Sequence, residues 1–357
     1  MHIVLAGGGT AGHIEPALNT ADALRASDCG ISLSVLGTER GLETTLVPAR
    51  GYALTLIPAV PLPRTLNADL ISLPRRLNKA VDLVAEHLEE VRASVVVGFG
   101  GYVSLPAYLA ARRLRIPIVV HEANAKPGLA NRIGARFATA VVDTVEGSIK
   151  GARTLGLPLR FPIRNFDKSA AQSAAREIWP LRSDRPTILV FGGSQGARHL
   201  NDVVADAADA LVEMGFDILH SVGRNNLDQL VSGKTGYVTV PYIDRMDFAY
   251  GAATLAVTRA GAMTVAELTA VGLPAIYVPL PIGNGEQRLN AAGVVAAGGG
   301  ELIDDAMFTP EALISILQRW QVEGFEKRSL AAGACGHKND IDTFVGIILE
   351  AAKGSSS

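Results

Sequence analysis

Short apolar runs alternate along this chain with longer stretches in which apolar residues recur at helical spacing. In the first half the runs are HIVLA from His2, SLSVL from Ser32, ALTLI from Ala53, SVVVGF from Ser94, PIVVH from Pro117 and TAVVDT from Thr139. Most are β-branched and continuous, the pattern of strands covered on both faces of a parallel sheet. Residues 17–26 and 74–91 read as helices between them, with Pro74 suited to a first helical position, where its missing N–H costs nothing. From about 155 to 185 the pattern lapses into GLPLRFPIRNFD and SDRP, which predicts a hinge. It then restarts. TILVFGGSQGARHLN repeats the opening order of strand, glycine turn and helix, and DILHSV, YVTVPYI, TLAVT, PAIYVPL and GELI follow as strands. The prediction is α/β, with two Rossmann-like, doubly wound parallel-sheet domains over residues 1–162 and 163–339. Intervals between strands are long enough for the crossover helices that parallel pairing needs. A last helix near 340–353 carries Ile341, Phe344, Val345 and Ile348 on one face, which must dock. Residues 340–357 are predicted to return to the first domain.

Composition narrows the picture. With 357 residues and 48% hydrophobic content, the chain exceeds one average domain. A net charge of -2 with 19% charged residues argues against a polyanion binder, so no nucleic-acid partner is expected. The two cysteines, Cys29 and Cys335, are far apart and lack metal spacing, which fits a reducing cytoplasm and suggests neither a disulfide framework nor a zinc site. Met1 leads straight into an apolar run, without the basic region or cleavage site of a secretion signal. The longest apolar region, about 251–282, is broken by Arg259, Glu267 and Pro274 and is not a membrane span.

Two glycine turns carry the candidate chemistry. In GGGTAGH, Gly7, Gly9 and Gly12 form a G-x-G-x-x-G, which lets backbone N–H groups approach an anion at a helix start. A dinucleotide site also wants an acid after the second strand, and Glu39 is available. A tight turn with no ligand is the plain alternative. His13, in the first helical turn, is of no use to a dinucleotide but would serve as general base for an acceptor hydroxyl; otherwise it is a capping or surface histidine. The second turn, GGSQGAR, adds the Ser194 hydroxyl. In TRAGAMTVAE a strand ends at Arg259 and a helix begins near Ala262. Glu267 there is either a helix-start carboxylate that suits the dipole or a bidentate acceptor for a ribose diol.

Taken in order, GGGTAGH, GFGGYVS, HEAN, GGSQGAR and the TRAGAMTVAE to GEQRLNA block resemble the MurG family of UDP-N-acetylglucosamine transferases, across residues 7 to about 291. The resemblance implies the GT-B architecture, two Rossmann-like domains facing a cleft. It implies UDP-GlcNAc as donor and undecaprenyl-diphospho-MurNAc-pentapeptide, lipid I, as acceptor. The MurNAc 4-hydroxyl attacks the anomeric carbon and configuration inverts. By motif, Ser194 and the GGSQGA amides hold donor phosphate, Glu267 the ribose, and the Ile243 backbone the uracil edge. Ala262, Met263, Thr264, Val265 and Ala266 line the nucleotide, and Arg164, in PIRNFD, is a donor-site arginine alongside Arg259. Thr10, Ala11 and Gly12 lie near the transferred sugar, Asn124 contacts GlcNAc, and His13 is the candidate base.

The chain departs from the family pattern at Ala11, where a glycine is usual, and at Glu286-Gln287, where a Gln-Gln pair is usual. Sugar contact through Glu286 or Gln287 is left open. No cofactor is implied. An Asp-x-Asp motif is absent from the expected diphosphate site, so helix dipoles, amides and arginines are expected to stabilise departing UDP without an obligatory metal. The acceptor is a lipid, so a peripheral surface on the anionic inner leaflet of the cell membrane, on its cytoplasmic side, is expected. Leu66, Leu70, Ile71 and Leu73 beside Arg64, Arg75, Arg76 and Lys79, together with RRLRIP near residue 112, offer one. An ordinary solvated face is the alternative. Competing functions are a two-Rossmann UDP-sugar transferase with another acceptor, an NAD-dependent oxidoreductase, and a non-catalytic sugar-nucleotide binder.

Overall fold

The computed structural model describes every residue except Arg40, 61–68, Ser194, Gln195, Ser232, 282–284 and 355–357, with the main chain alone for Ala11 and residues 69–71. The chain divides into two compact units, Met1–Leu159 with Asn339–Ser357, and Arg160–Lys338.

In the first unit, β1 (His2–Gly7), β2 (Ser32–Gly37), β3 (Ala53–Leu56), β4 (Val95–Gly100), β5 (Ile118–Glu122), β6 (Ala140–Asp143) and β7 (Arg153–Thr154) form a parallel sheet of order β3-β2-β1-β4-β5-β6-β7. Strand order reverses beside β1, whose Ala6 lies between Leu36 of β2 and Gly98 of β4. That reversal opens a crevice at the carboxyl ends of the central strands. Alternation along β1 sends Ile3 and Leu5 to one face and Val4 and Ala6 to the other. The first face is covered by α1 (Ala11–Ser27) and by the C-terminal helix Asp340–Lys353, through Ile341, Phe344 and Ile348. After α2 (Glu43–Ala49), the other face is covered by α3 (Asp69–Glu90) and α4 (Ser104–Leu114); α5 (Leu129–Gly134) follows β5.

Two helices start earlier than the pattern suggests. α1 begins at Ala11 rather than 17, and α3 at Asp69 rather than 74, so Pro16 and Pro74 both lie inside helices. Each proline forfeits one i→i−4 bond, a loss that packing of the rest of the helix outweighs.

The second unit opens with α6 (Phe161–Arg164) and α7 (Lys168–Ile178), in the stretch that reads as a hinge. Asp167 caps α7 by accepting from Ser169 N at 2.9 Å and Ala170 N at 3.1 Å. Its buried residues are small, Ala171 and Ala175, and a Cβ added at Gly251 would fall 2.5 Å from that of Ala171. Close packing of small side chains leaves no strong apolar stripe to read. Then follow β8 (Thr187–Phe191), α8 (Arg198–Glu213), β9 (Asp217–Ser221), β10 (Tyr237–Val240), α9 (Met246–Ala252), β11 (Leu255–Thr258), α10 (Ala262–Val271), β12 (Ala275–Tyr277), α11 (Glu286–Ala296), β13 (Gly300–Leu302), α12 (Pro310–Glu323) and α13 (Phe325–Ala334). The parallel order β10-β9-β8-β11-β12-β13 repeats that of the first sheet without its edge strand β7. Val190, Leu200, Val204, Ile218, Val257 and Trp320 lie in its core.

Candidate functional site

At the end of β1 the chain turns through Gly8, Gly9 (φ +89°) and Thr10 into α1. The turn is backed by a carboxylate. Glu43, at the head of α2, is fully buried. Its Oε2 accepts from Gly9 N at 3.1 Å, and its Oε1 accepts from Thr38 N at 2.8 Å and Thr38 Oγ1 at 2.9 Å. Glycines make room for it: a Cβ at Gly8, Gly37 or Gly41 would come within 2.7, 2.5 or 1.8 Å of its side chain. Burial pushes this carboxyl up, but the hydrogen bonds, led by that from Thr38 N, outweigh burial and hold it below its ordinary value. Glu39, the acid expected to serve a dinucleotide, is exposed instead.

His13 lies in the first turn of α1, half-buried, with Nδ1 3.1 Å from Thr10 Oγ1. Its ring abuts the main chain at the end of β4. A Cβ at Gly100 (φ +97°) would meet His13 Cδ2 at 3.0 Å, and one at Gly101 would meet the Gly8 carbonyl oxygen at 2.2 Å. Desolvation lowers the imidazole pKa below 6.5. The Glu122 charge, a hydrogen bond to the Gly8 backbone and the Glu43 charge act the other way. Thr10 is exposed, Gly12 is exposed, and Ala11 continues the helix. Tyr102, half exposed, stands over Gly9, with its ring carbon 3.7 Å from where a Gly9 Cβ would be; the motif GFGGYVS contains it, but nothing local marks it out.

At the end of β5, buried Glu122 organises the loop to α5. Its Oε1 accepts from Asn124 N at 2.9 Å and Asn124 Nδ2 at 3.3 Å, and its Oε2 from Gly128 N and Asn131 Nδ2, both at 3.0 Å. Asn124 is therefore half-buried and tied to Glu122. His121 points the other way, between the rings of Phe99 and Phe344, and burial lowers its pKa to about 4.

In the second unit, Gly261 caps α10, and Ala262, Met263, Thr264 and Ala266 line its first turns half-buried, while Val265 and Glu267 are buried. Glu267 Oε1 accepts from Arg160 Nη2 at 3.0 Å and Nε at 3.3 Å; Oε2 accepts from Tyr250 OH at 2.8 Å. Burial first, then the Glu267 charge, pushes the Tyr250 hydroxyl well above its ordinary range, so it remains a donor. The arginine at Glu267 is thus Arg160. Arg164 lies one helical turn on, its guanidinium 5.9 Å from the Phe161 ring centroid. Within PLRFPIR, Pro-apolar-Arg occurs twice in succession, ending at Arg160 and at Arg164, and only three-dimensional structure separates the two.

Arg259 is nearly buried. Its Nη1 donates to Val278 O at 3.2 Å, to Pro279 O at 3.3 Å and to Asp305, which also pairs with His199 Nδ1 at 3.2 Å. Gln287 Oε1 accepts from Ala260 N at 3.2 Å and Leu280 N at 2.9 Å, so this amide ties α11 to the Arg259 turn; Glu286 is half-buried beside it. The Ile243 side chain is buried, and its backbone N–H and C=O have no hydrogen-bond partner among the described residues. Ser194 lies outside the described residues. Beside it a Cβ at Gly193 (φ +90°) would meet nothing within 4 Å, whereas one at Gly196 would strike Val222 O and Asn226 Nδ2, both at 2.2 Å.

On the first unit, Arg75 and Lys79 of α3 and Arg112 and Arg113 of α4 are exposed, and Arg76 and Leu73 are half-buried. Arg113 is paired with Asp82 at 2.7 Å. Arg64 and Leu66, and the side chains of Leu70 and Ile71, fall outside the described residues. Among the described residues no helix is long and apolar enough to cross a membrane, and no group of three or more His, Cys, Asp or Glu could hold a metal ion.

Residues 3–143 match the glycosyltransferase family 28 N-terminal domain, and residues 187–335 its C-terminal domain. A UDP-N-acetylglucosamine--N-acetylmuramyl-(pentapeptide) pyrophosphoryl-undecaprenol N-acetylglucosamine transferase of Streptomyces avermitilis is 55% identical, covering 98% of each chain. The protein of the same name from Mycobacterium sp. (strain KMS) is 52% identical over 98% of this chain and 96% of its own. The crystal structure of Acinetobacter baumannii MurG superposes with a TM-score of 0.78 at 26% identity, covering 98% of this chain and 99% of that one. With twin parallel sheets of one strand order, each ending in a glycine turn, and with this identity along nearly its whole length, the chain is a GT-B glycosyltransferase that belongs to the MurG family.

Proposed function

We propose that the chain transfers GlcNAc from UDP-GlcNAc to the 4-hydroxyl of MurNAc in undecaprenyl-diphospho-MurNAc-pentapeptide, converting lipid I to lipid II in peptidoglycan synthesis. The close relatives' printed activity supports the substrates. The observation that carries the chemistry is His13, neutral at physiological pH through burial and held by Thr10 at the crevice of the first sheet. Its imidazole takes the proton of the 4-hydroxyl as that oxygen bonds to the anomeric carbon. The carbon–oxygen bond to UDP breaks on the opposite face, and configuration inverts.

The donor belongs to the second unit. Ile243 offers a backbone N–H and C=O, unpaired among the described residues, to the uracil edge. The start of α10 and the Gly193 turn, with Ser194, face the diphosphate. Glu267 takes the ribose. Its oxygens already accept from Arg160 and Tyr250, so the diol shares their remaining lone pairs, and Arg160 joins the donor site in the role expected of Arg164. Gln287 orients the turn through its carbonyl, and the sugar hydroxyls are expected to meet Glu286 or the Gln287 amide nitrogen. Asn124 and the Thr10–Gly12 segment line the GlcNAc side. Because the acceptor is a lipid, the exposed cations of α3 and α4, with the segment from residue 61, serve as a peripheral contact to the anionic cytoplasmic leaflet.

The test is UDP release from UDP-GlcNAc against UDP-GalNAc, with and without a short-chain lipid I analogue. Release that needs both UDP-GlcNAc and the analogue is expected. Release with UDP-GlcNAc that ignores the analogue, or prefers UDP-GalNAc, removes this reading.

A further inference from the structure

The glycine turn that carries His13 holds an anion of its own. Glu43 is fully buried beneath it and shares no hydrogen bond with the imidazole. Yet it touches two residues of the turn that leads to the imidazole. Gly9 N donates to its Oε2, and Gly8, whose backbone bonds the His13 ring, packs so closely that a Cβ there would lie 2.7 Å from Oε1. From below, Thr38 grips the same carboxylate with its N–H and its hydroxyl. The turn is clamped from above as well, since Gly101 leaves no room for a Cβ against the Gly8 carbonyl.

We propose that Glu43 is a positioning residue: clamped between Thr38 and Gly9, its carboxylate fixes the Gly8–His13 segment and sets the charge next to the base. The proposal rests on His13 being that base. Three consequences follow from charge and valence. The Gly9 amide is committed, and a negative charge lies behind it, so this turn is a poor receptor for a phosphate. The groups that face His13 are Glu43 from α2 and Glu122 from β5, both negative, so each favours the protonated imidazole. Glu122 is anchored by four donors from Asn124, Gly128 and Asn131, whereas Glu43 joins Thr38, just after β2, to the turn.

The experiment is Glu43→Gln, with kcat, KM and the pH profile measured. Gln keeps the volume but presents N–H2 to one of the two backbone donors, and it removes the charge. Expected results are a kcat lower by up to about 10²-fold, the cost of a 1 Å misplacement, an unchanged KM for UDP-GlcNAc, and an acid limb of kcat/KM moved to lower pH. An acid limb in place overturns the proposal, whether kcat is intact or falls only in step with Tm. If Glu43→Gln yields no folded protein, Glu43→Asp retains the charge but withdraws it from Gly9. It should lower kcat with the acid limb in place, and an intact kcat overturns the proposal. Failure of the underlying reading is separately visible. His13→Ala with normal turnover removes the base, whereas an inactive His13→Ala beside a normal Glu43→Gln removes Glu43 alone.

Discussion

The two glycine turns are built on one plan and backed by opposite chemistry. Each follows the first strand of a sheet of the same order and leads into a helix at the switch point. Behind the first lies a buried carboxylate that accepts the Gly9 amide. Behind the second lie neutral groups: the Val222 carbonyl, which accepts from Asn201 Nδ2 and Asn226 Nδ2, with Gly196 pressed against it. A carboxylate under a turn repels an anionic ligand, and a neutral backing leaves the turn's amides to phosphate. On the function proposed above, the same motif grammar would serve a base in one half and a diphosphate in the other. A G-x-G-x-x-G pattern reports how the backbone turns, and the residue behind the turn decides what it serves.

The largest test of this contrast is His13→Ala. Turnover should fall by about 10²–10⁴-fold, the range of a lost general base, with donor KM unchanged. Equal losses in kcat/KM and in donor affinity would place His13 at the donor instead. Next come the glycines. Gly101→Ala forces a Cβ against Gly8 O at a φ of +83° and should cost about 3 kcal/mol by urea unfolding. Gly193→Ala has open space, so only its φ of +90° opposes it, at about 1 kcal/mol. Equal costs would mean that the two turns are packed alike.

The combined change Arg75→Glu and Arg76→Glu should weaken flotation with anionic liposomes by at least about 2 kcal/mol, near 1 kcal/mol for each cation lost. Unchanged flotation would return this face to ordinary solvated surface. The smallest effect separates two arginines. Arg160→Ala should weaken UDP-GlcNAc binding about tenfold by calorimetry, since it unpairs buried Glu267, and Arg164→Ala should change it less than about twofold. The reverse order would make Arg164 the donor-site arginine.

The alternation of strands and helices, the two glycine turns and the parallel pairing were all legible in the sequence, because burial on both faces writes itself into continuous β-branched runs. Local signals failed where partners are small or remote. α7 buries alanines, so its periodicity is faint, although Asp167 before it is a regular cap. The apolar face of Asp340–Lys353 announced a docking helix, but only the folded chain shows Phe344 against Phe99 and His121. Glu39 and Glu43 look alike in GTERGLE, as do Arg160 and Arg164 in PLRFPIR.

Taken alone, the sequence determined the class of fold, the family and the kinds of side chain available for catalysis. Tertiary structure decided which of two similar residues makes each contact. Glu43 reaches Gly9 across 34 positions and Glu267 reaches Arg160 across 107. Periodicity encodes which face of an element is buried, a property of near neighbours. Hydrogen bonds between distant side chains are set by sheet order and register, which arise only when the whole unit packs.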